Sequence, residues 1–330
     1  MKIGKLPAER LHALVLGRLG KRRSDVLLRP AVGEDSAVID FGDEVCIISS
    51  DPITGAGARL GELAVHVSCN DVAANGARPV GVQVVLLLPE SFVEEELAVL
   101  MEHIDKAAGD LGIEVLGGHT EITSKVLEPL IVVTALGRAP RHGFVSSSGA
   151  RPGDDLVISK GISIEGTAIL ASDFAELLRP LVGEEVIARS QEYWSEISVV
   201  PEGRIGASLG VSAMHDVTEG GLYGALWEMA EASNVGLEVV RERVPVREET
   251  ALICQHLGLD PLGLISSGTM LFATPRGKDL IDALAAEGIK GAIIGQVTDG
   301  LRIVRGEAGE EHILEGPGED ELWRFLKTTS

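Results

Sequence analysis

Short apolar segments of strand length alternate along the chain with longer segments of helical periodicity, and this alternation limits the possible folds more than any other feature. Six runs have the length and apolar character of strands: residues 45–50, 82–88, 130–136, 156–159, 269–273 and 291–296. Five intervening segments carry apolar residues at helical spacing: 60–74, 94–111, 165–178, 222–233 and 278–287. The pattern predicts an α/β or α+β fold.

A linker-like segment divides the chain near its middle. Residues 140–153 are rich in Ser, Gly, Arg and Pro, and a new apolar strand begins at Leu156. Domain boundaries fall in segments of this composition. The sequence therefore predicts one domain over residues 1–150 and a second over residues 151–330.

The charge balance excludes several classes of partner. Lys and Arg total 29 against 50 Asp and Glu, a net charge of −21 over 330 residues. Such a surface is poorly suited to nucleic acid or anionic lipid, and we expect neither as a partner. A bound polyphosphate would have to be screened by metal ions or by backbone N–H groups.

The cysteines and the apolar runs indicate a cytoplasmic protein. Cys46, Cys69 and Cys254 are far apart and odd in number, so they suggest neither a disulfide framework nor a CxxC metal site. The longest apolar run, residues 80–89, is too short to span a bilayer.

One predicted helix carries an acid where an apolar residue is expected. Its apolar face, followed by Asn70 and Asp71, is formed by Leu60, Leu63, Ala64 and Val67. Because an unpaired buried ion is costly, Asp71 must reach a metal, a basic group or a cleft at the helix end. The alternative is a capping network near Asn75.

Further acids lie in turn-like segments beside predicted strands, at residues 33–36, 50–52 and 117–121, of which the first and the last contain glycine. Each alone is an ordinary turn composition. Together with Asp71 they match the needs of a Mg-nucleotide site, since oxygen ligands on loops can hold Mg²⁺ ions that bridge phosphates.

Residues 215–221 form a fifth cluster, in which Gly220 and Gly221 open a predicted helix. Exposed N–H groups at a helix start can seat a phosphate, although a simple N-cap by Asp216 or Thr218 is the alternative. The chain contains neither a P-loop, a strand-GxGxxG-helix motif nor an HExxH zinc motif. Any ATP site must therefore use another architecture.

Five motifs, taken in order, carry a family resemblance: GEDSAVI (33–39), SSDPIT (49–54), NDVAANGARP (70–79), GGHTEI (117–122) and HDVTEGGL (215–222). The chain resembles the AIR synthase superfamily, most closely its HypE-type hydrogenase maturation branch. This resemblance implies a two-domain PurM-like fold, in which strands of the amino-terminal α/β domain pair across a homodimer to form a barrel and a second α/β domain follows.

The resemblance also implies a site for ATP with Mg²⁺ between the acidic segments. The implied metal ligands are Asp35, Asp51 and Asp71. The implied cofactor-binding residues are these three with Asn70, Gly117, Gly118, Gly220 and Gly221. The implied catalytic residues are Asp216, Glu121 and His119.

Three departures from the HypE pattern bear on the reaction. HypE proteins end in a cysteine that carries a carbamoyl group, whereas this sequence ends Lys-Thr-Thr-Ser. His119 and Glu121 stand where that pattern has Asp and Lys, and Ser267 stands where it has Glu. We therefore expect a reaction other than carbamoyl dehydration.

Three functions remain open at the level of sequence. The first is ATP-dependent activation of an amide or acid oxygen of a small substrate by phosphoryl transfer. The second is a small-molecule kinase like thiamine-monophosphate kinase, and the third is a non-catalytic nucleotide-binding scaffold. The resemblance also suggests a protein partner of the maturation type.

Overall fold

The first half of the chain forms a six-stranded sheet in the computed structural model, which describes residues 8–53, 57–306, 309–316 and 318–329. The strands, in the order β1-β2-β3-β6-β4-β5 across the sheet, are β1 Val26–Leu28, β2 Ala37–Asp40, β3 Glu44–Ile53, β4 Arg78–Leu88, β5 Glu114–Ile122 and β6 Leu130–Pro140. Only β4 and β5 run parallel among these described strands. The helices of this half are α1 Ala8–Leu14, α2 Leu60–Ala74 and α3 Glu94–Leu111.

The helix α2 is the central element of the molecule, and all 15 of its residues are buried. One side packs on β3 and β6, and another meets the second half of the chain. A side chain at Gly137 of β6 would place its Cβ 2.2 Å from Cγ1 of Val72, so glycine is what allows the helix to lie this close to the sheet. The polar residues of this helix are therefore buried along with the apolar ones.

The second half forms a seven-stranded sheet in the order β13-β12-β9-β11-β7-β10-β8. Its strands are β7 Asp155–Ser159, β8 Ala213–Val217, β9 Gly236–Val240, β10 Thr269–Thr274, β11 Gly291–Thr298, β12 Arg302–Arg305 and β13 Glu311–Ile313. Its helices are α4 Ile164–Asp173, α5 Ala175–Val182, α6 Glu184–Gln191, α7 Val200–Leu209, α8 Gly221–Ser233, α9 Glu248–Leu257, α10 Gly277–Ala286 and α11 Glu321–Thr329. In the described part of this sheet only β9 and β12 run parallel.

The fold confirms the predicted mixed α/β class, and each predicted strand and helix lies on an observed one. Three expectations were wrong. The helix predicted over 165–178 is interrupted at Phe174, which ends α4 and precedes α5. The turn predicted at 50–52 lies inside β3, and the glycine-containing turn predicted at 117–121 is the interior of β5. The proposed boundary near residue 150 falls in the connection between β6 and β7.

No helix among the described residues is long and apolar enough to cross a membrane. The cytoplasmic location stays a prediction.

Candidate functional site

Asp71 lies on a face of α2 that meets both halves of the chain. Its side chain is buried, and its Oδ2 accepts a hydrogen bond of 2.7 Å from the hydroxyl of Ser49 on β3. It does not cap the helix, because the backbone of Asn75 completes that end. The prediction that Asp71 belongs to a capping network is therefore wrong. Its side chain lies in a cleft at the end of the helix, which was the other prediction.

Carboxylates from both halves surround Asp71. Burial raises the pKa of Asp71 well above its usual value, and the charges of Asp51, Asp216 and Asp35 raise it further. When protonated, Asp71 can donate a hydrogen bond to the carboxyl group of Asp51, which raises the pKa as well. The structure thus brings together four of the predicted acids, three from the first half and Asp216 from β8 of the second.

Two of these acids each have one carboxylate oxygen without a hydrogen-bond partner among the described residues. These oxygens are Oδ2 of Asp51 and Oδ2 of Asp216, and both are buried. Unsatisfied buried polar atoms are uncommon in native proteins and call for a specific explanation. A cation beside Oδ2 of Asp51 would supply its missing partner and offset the repulsion among the carboxylates, and Oδ2 of Asp216 is left to interact with a substrate.

A narrow cleft opens beside the acids. It is lined by Asp35, Asp71 and Asp216 together with Glu34 and His215, and its volume of about 10 Å³ is close to that of one water molecule or ion. No three metal-binding side chains among the described residues are close enough to hold an ion by themselves. The donor set fits Mg²⁺, which binds through one or two carboxylates and takes its other ligands from water and substrate phosphates.

His215 is a cation that the sequence reasoning missed. Its Nε2 lies 3.0 Å from Oε2 of Glu228, and its Nδ1 lies 3.8 Å from Oδ1 of Asp216. Burial opposes the charge on this imidazole, but hydrogen bonds to Asp216 and Glu228 outweigh burial and raise the pKa of His215 to about 10. The sequence shows that His215 precedes Asp216. It does not show the pairing of His215 with Glu228, which only the folded chain brings about.

Glu34 is the second residue that was missed. It is buried, and it accepts hydrogen bonds of 3.0 Å from Nδ2 of Asn75 and 3.2 Å from the backbone N–H of Ser147. Burial raises the pKa of Glu34, and these hydrogen bonds oppose the rise. Glu34 thus ties the acidic segment to the end of α2 and to the connection between the two sheets.

The predicted phosphate seat at α8 is used by the protein itself. The N–H of Gly220 donates to Oδ2 of Asp320 at 2.6 Å, and the N–H of Gly221 donates to the carbonyl of Thr218 at 3.0 Å. Two further backbone N–H groups bind Asp320, but its burial raises the pKa of Asp320 to about 6. A carboxylate of the chain thus takes the anion position, which does not support the predicted role of Gly220 and Gly221.

Asn70 has a structural role in this geometry. Its Nδ2 donates to the carbonyl of Ile197 at 2.8 Å, and its Oδ1 accepts from the N–H of Val199 at 2.8 Å. Both ends of the amide are engaged by backbone of the second half. The amide clamps α2 to the segment before α7, and the geometry does not support its assignment to cofactor binding.

The remaining predicted residues lie apart from the acids within one chain. Gly117, Gly118, His119 and Glu121 are exposed on β5, and the sheet register puts Gly118 three strands away from Asp51, about 14 Å at the usual strand spacing. His119 Nε2 and Glu121 Oε2 lie 3.3 Å apart. The structure does not bring this group to the acidic cluster of the same chain.

Comparisons with known proteins agree with this architecture. Models of "AIR synthase related protein, N-terminal domain" and "AIR synthase related protein, C-terminal domain" match residues 33–139 and 151–306. "Carbamoyl dehydratase HypE" of Azotobacter vinelandii is 33% identical over 252 residues, which are 74% of this chain and 72% of the relative.

Two solved structures share the fold. A crystal structure of a HypE–HypF complex superposes with a TM-score of 0.76 at 22% identity, covering 93% of this chain and 99% of that chain. A crystal structure of the hydrogenase maturation protein HypE in complex with ATP gives a TM-score of 0.72 at 24% identity, covering 97% of both chains. The two family models together match more than half of the chain, which therefore belongs to the AIR synthase related family, as its five motifs predicted.

Proposed function

We propose that the protein binds ATP with Mg²⁺ at the acidic cluster and transfers a phosphoryl group to a small substrate. The observation that carries the proposal is the pair of buried carboxylate oxygens, on Asp51 and Asp216, that have no partner in the described part of the chain beside the buried Asp71. A family member whose crystal structure is described as a complex with ATP supports the choice of nucleotide. The proposed metal ligands are Asp35, Asp51 and Asp71, with one or two of these carboxylates on each ion and with water and phosphate oxygens as the other ligands.

The chemistry proposed is activation of an amide or acid oxygen. When bound, Mg²⁺ neutralises the charge of the phosphoryl group being transferred. The imidazolium of His215 orients Asp216 from one side. With an amide acceptor, the amide oxygen would bond to the γ-phosphorus as ADP leaves, and Asp216 would take the N–H proton that the acceptor loses. This step assigns Asp216 as a base and His215 as a positioning residue.

We further propose that none of the three cysteines carries a carbamoyl group, so that the substrate differs from that of the HypE relatives. Cys69 and Cys254 are buried, and burial raises the pKa of each thiol to about 12. Burial also raises the pKa of Cys46, which lies within β3. A carrier thiol must be an accessible thiolate, and these three are protonated and held in regular elements.

Self-association through the first sheet is part of the proposal. One face of this sheet packs on α2, whereas Val85 and Leu87 on β4 and Val132 on β6 are only half-buried on the other face. A second copy of the chain would cover this apolar face and the exposed edge strand β5. His119 and Glu121 lie too far from Asp51 to touch the same phosphate group, so a catalytic role for them depends on a nucleotide or a second copy that spans the distance.

A protein partner of the maturation type is also proposed, on the ground that a structural neighbour is described as a HypE–HypF complex. The assignment of one domain to residues 1–150 and another to 151–330 remains a proposal, supported by the two sheets that lie on either side of the boundary.

The test is calorimetric titration of ATP into the protein with and without Mg²⁺. We expect binding that requires the metal and that is lost in Asp71→Asn. The matched control is Asp43→Asn, which changes an exposed acid next to β3. Glu34→Ala is unsuitable as a second control, because Glu34 is buried in the cleft that Asp35, Asp71 and Asp216 line. Metal-independent binding, or no binding at millimolar ATP, would contradict the proposal.

Phosphoryl transfer is tested separately with a metabolite panel, Mg²⁺ and labelled ATP. A phosphorylated product would identify a kinase, whereas phosphate release that depends on an amide or acid substrate fits the activation proposed. Binding without any turnover would leave a nucleotide-binding scaffold as the function.

A further inference from the structure

A second cleft, much larger than the one beside Asp71, opens between the two halves of the chain. Its volume is about 650 Å³, within the range of small-molecule sites. One wall is formed by α2 and α3, and the other by the 3₁₀ turn Glu192–Glu196 and the start of α7. We call it the interdomain cleft.

The interdomain cleft and the acidic cluster lie on opposite sides of α2. Glu62 faces the cleft, and Asp71 follows it by nine residues, which corresponds to a rotation of about 180° around a helix. Because the buried helix separates the two sites, a molecule in the cleft does not touch the proposed metal ligands.

His66 lies one turn after Glu62 and lines the cleft. Its side chain is only 7% exposed, and its Nδ1 is buried without a hydrogen-bond partner among the described residues. Burial lowers the pKa of His66, so the ring is neutral near pH 7 and has one nitrogen that donates and one that accepts. Nδ1 itself is closed off from the cleft, but a neutral imidazole at its wall can exchange one hydrogen bond with a polar ligand through the other ring nitrogen.

Two cationic side chains, Arg59 and Lys106, line the same cleft. Arg59 donates from Nε to Oε2 of Glu62 at 2.9 Å, and this contact leaves other guanidinium N–H groups for a ligand. Nζ of Lys106 lies 2.8 Å from Oδ2 of Asp110, and both side chains are 58% exposed. Glu62 is nearly buried and stays beside both cations, 2.7 Å from Nη2 of Arg59 and 3.7 Å from Nζ of Lys106. The exposed Asp110 can rotate away into the solvent, so that another anion can take its place on Lys106.

We propose that the interdomain cleft binds a small organic anion, whose carboxylate or phosphate group contacts Arg59 and Lys106 and whose polar remainder reaches His66. Trp194 supports this geometry, since the guanidinium of Arg59 lies 5.7 Å from its ring centroid and this contact restricts where the guanidinium can lie. The site is a second one, independent of the nucleotide site under Proposed function.

The experiment uses the full chain and two probes, succinate for a carboxylate and glycerol 2-phosphate for a phosphate. Imidazole NMR signals of His66, identified by their absence in His66→Gln, report on the cleft, and calorimetry gives the affinity. We expect at least one probe to shift the His66 signals. Lys106→Gln should weaken its binding by about tenfold or more, as expected for one charge-assisted hydrogen bond. The control Arg179→Gln, at an exposed arginine paired with acids on α5 and α6, should leave binding unchanged.

A second arm separates this inference from the nucleotide proposal. Probe binding should persist in Asp71→Asn and in the presence of ATP with Mg²⁺, because α2 keeps the two sites apart. Three outcomes would overturn the inference: neither probe moves the His66 signals at millimolar concentration, Lys106→Gln binds like the unmodified chain, or ATP with Mg²⁺ displaces the probe. The probe that binds more tightly distinguishes a carboxylate ligand from a phosphate one.

Discussion

At the scale of single residues, Asp71 is an acid whose charge the fold opposes. It is buried beside Asp51, Asp216 and Asp35, and each of these influences raises the pKa of its carboxyl group. Folding therefore becomes less favourable as the pH rises from the unfolded pKa towards the folded one, because the folded state retains the proton longer. Such an arrangement costs stability unless a cation binds.

The variant Asp71→Asn tests this cost. Without metal at pH 7, we expect the substitution to increase the free energy of unfolding by about 1 kcal/mol or more, since each pKa unit is worth about 1.4 kcal/mol. With Mg²⁺ and ATP, we expect the unmodified chain to gain stability that the variant lacks. Urea unfolding under both conditions measures the difference, with Asp43→Asn as the control. A variant less stable than the unmodified chain without metal would contradict the account.

His215 gives the opposite dependence on pH. Its folded pKa of about 10 lies above the ordinary histidine value of 6.5, because its hydrogen bonds to Asp216 and Glu228 outweigh burial. Its contribution to stability is complete below about pH 6.5 and is lost as the pH rises towards 10. We expect His215→Gln to lower the melting temperature at pH 7 and to flatten its decline between pH 7 and 10. Parallel melting curves for variant and unmodified chain would show that the imidazolium carries no such charge.

At the scale of elements, sequence reasoning succeeded where local signals and tertiary packing agree. The bounds of α2 were predicted correctly, because its apolar residues recur at helical spacing and a glycine follows at Gly76. The interruption at Phe174 has no glycine or proline to mark it. The ring of Phe174 packs edge-on against Phe325 with centroids 5.0 Å apart, a contact between residues far apart in the sequence that no local pattern reveals.

The error at β5 has a similar cause. Gly117 and Gly118 indicate a turn by composition, but parallel pairing with β4 holds them extended at the edge of the sheet. For the same reason the site was only partly predictable. Four acids that the motifs single out do meet, whereas the partners of Asn70, Gly220 and Asp71 lie in distant elements.

The close contact between α2 and α7 predicts that a glycine-to-alanine substitution lowers the stability of the protein in α7. The same substitution should raise it in α3, where the glycine has no neighbour. A Cβ at Gly203 of α7 would lie 2.1 Å from the carbonyl oxygen of Ala73, so we expect Gly203→Ala to destabilise the protein by about 1–3 kcal/mol. Gly109 of α3 is exposed with nothing within 4 Å, so Gly109→Ala should stabilise it by about 0.5–1 kcal/mol. Urea unfolding compares the two, and equal effects would show that helix propensity alone decides.

At the scale of the whole molecule, the acidic cluster depends on both halves of the chain. Asp71 and Asp51 belong to the first half, and Asp216 reaches them from the end of β8. The Asn70 clamp holds α2 against the second half, and Glu34 ties the end of α2 to the connection between the two sheets. Any motion between the halves would therefore separate the carboxylates. The site thus depends on the relative position of the two halves.

The proposed dimer is the largest-scale prediction, and it follows from the uncovered face of the first sheet. Alternate residues of β4 and β6 are buried against α2, while Val85, Leu87 and Val132 between them are half-buried and apolar. We expect light scattering to give twice the chain mass of 34.8 kDa at micromolar concentration. Val85→Lys places a charge in the middle of this face and should yield the monomer. Leu301→Lys, at a side chain that is 64% exposed in the second half, should remain dimeric. If the unmodified chain is a monomer, or if both variants dissociate alike, the face does not mediate self-association and the barrel implied by the family resemblance does not form here.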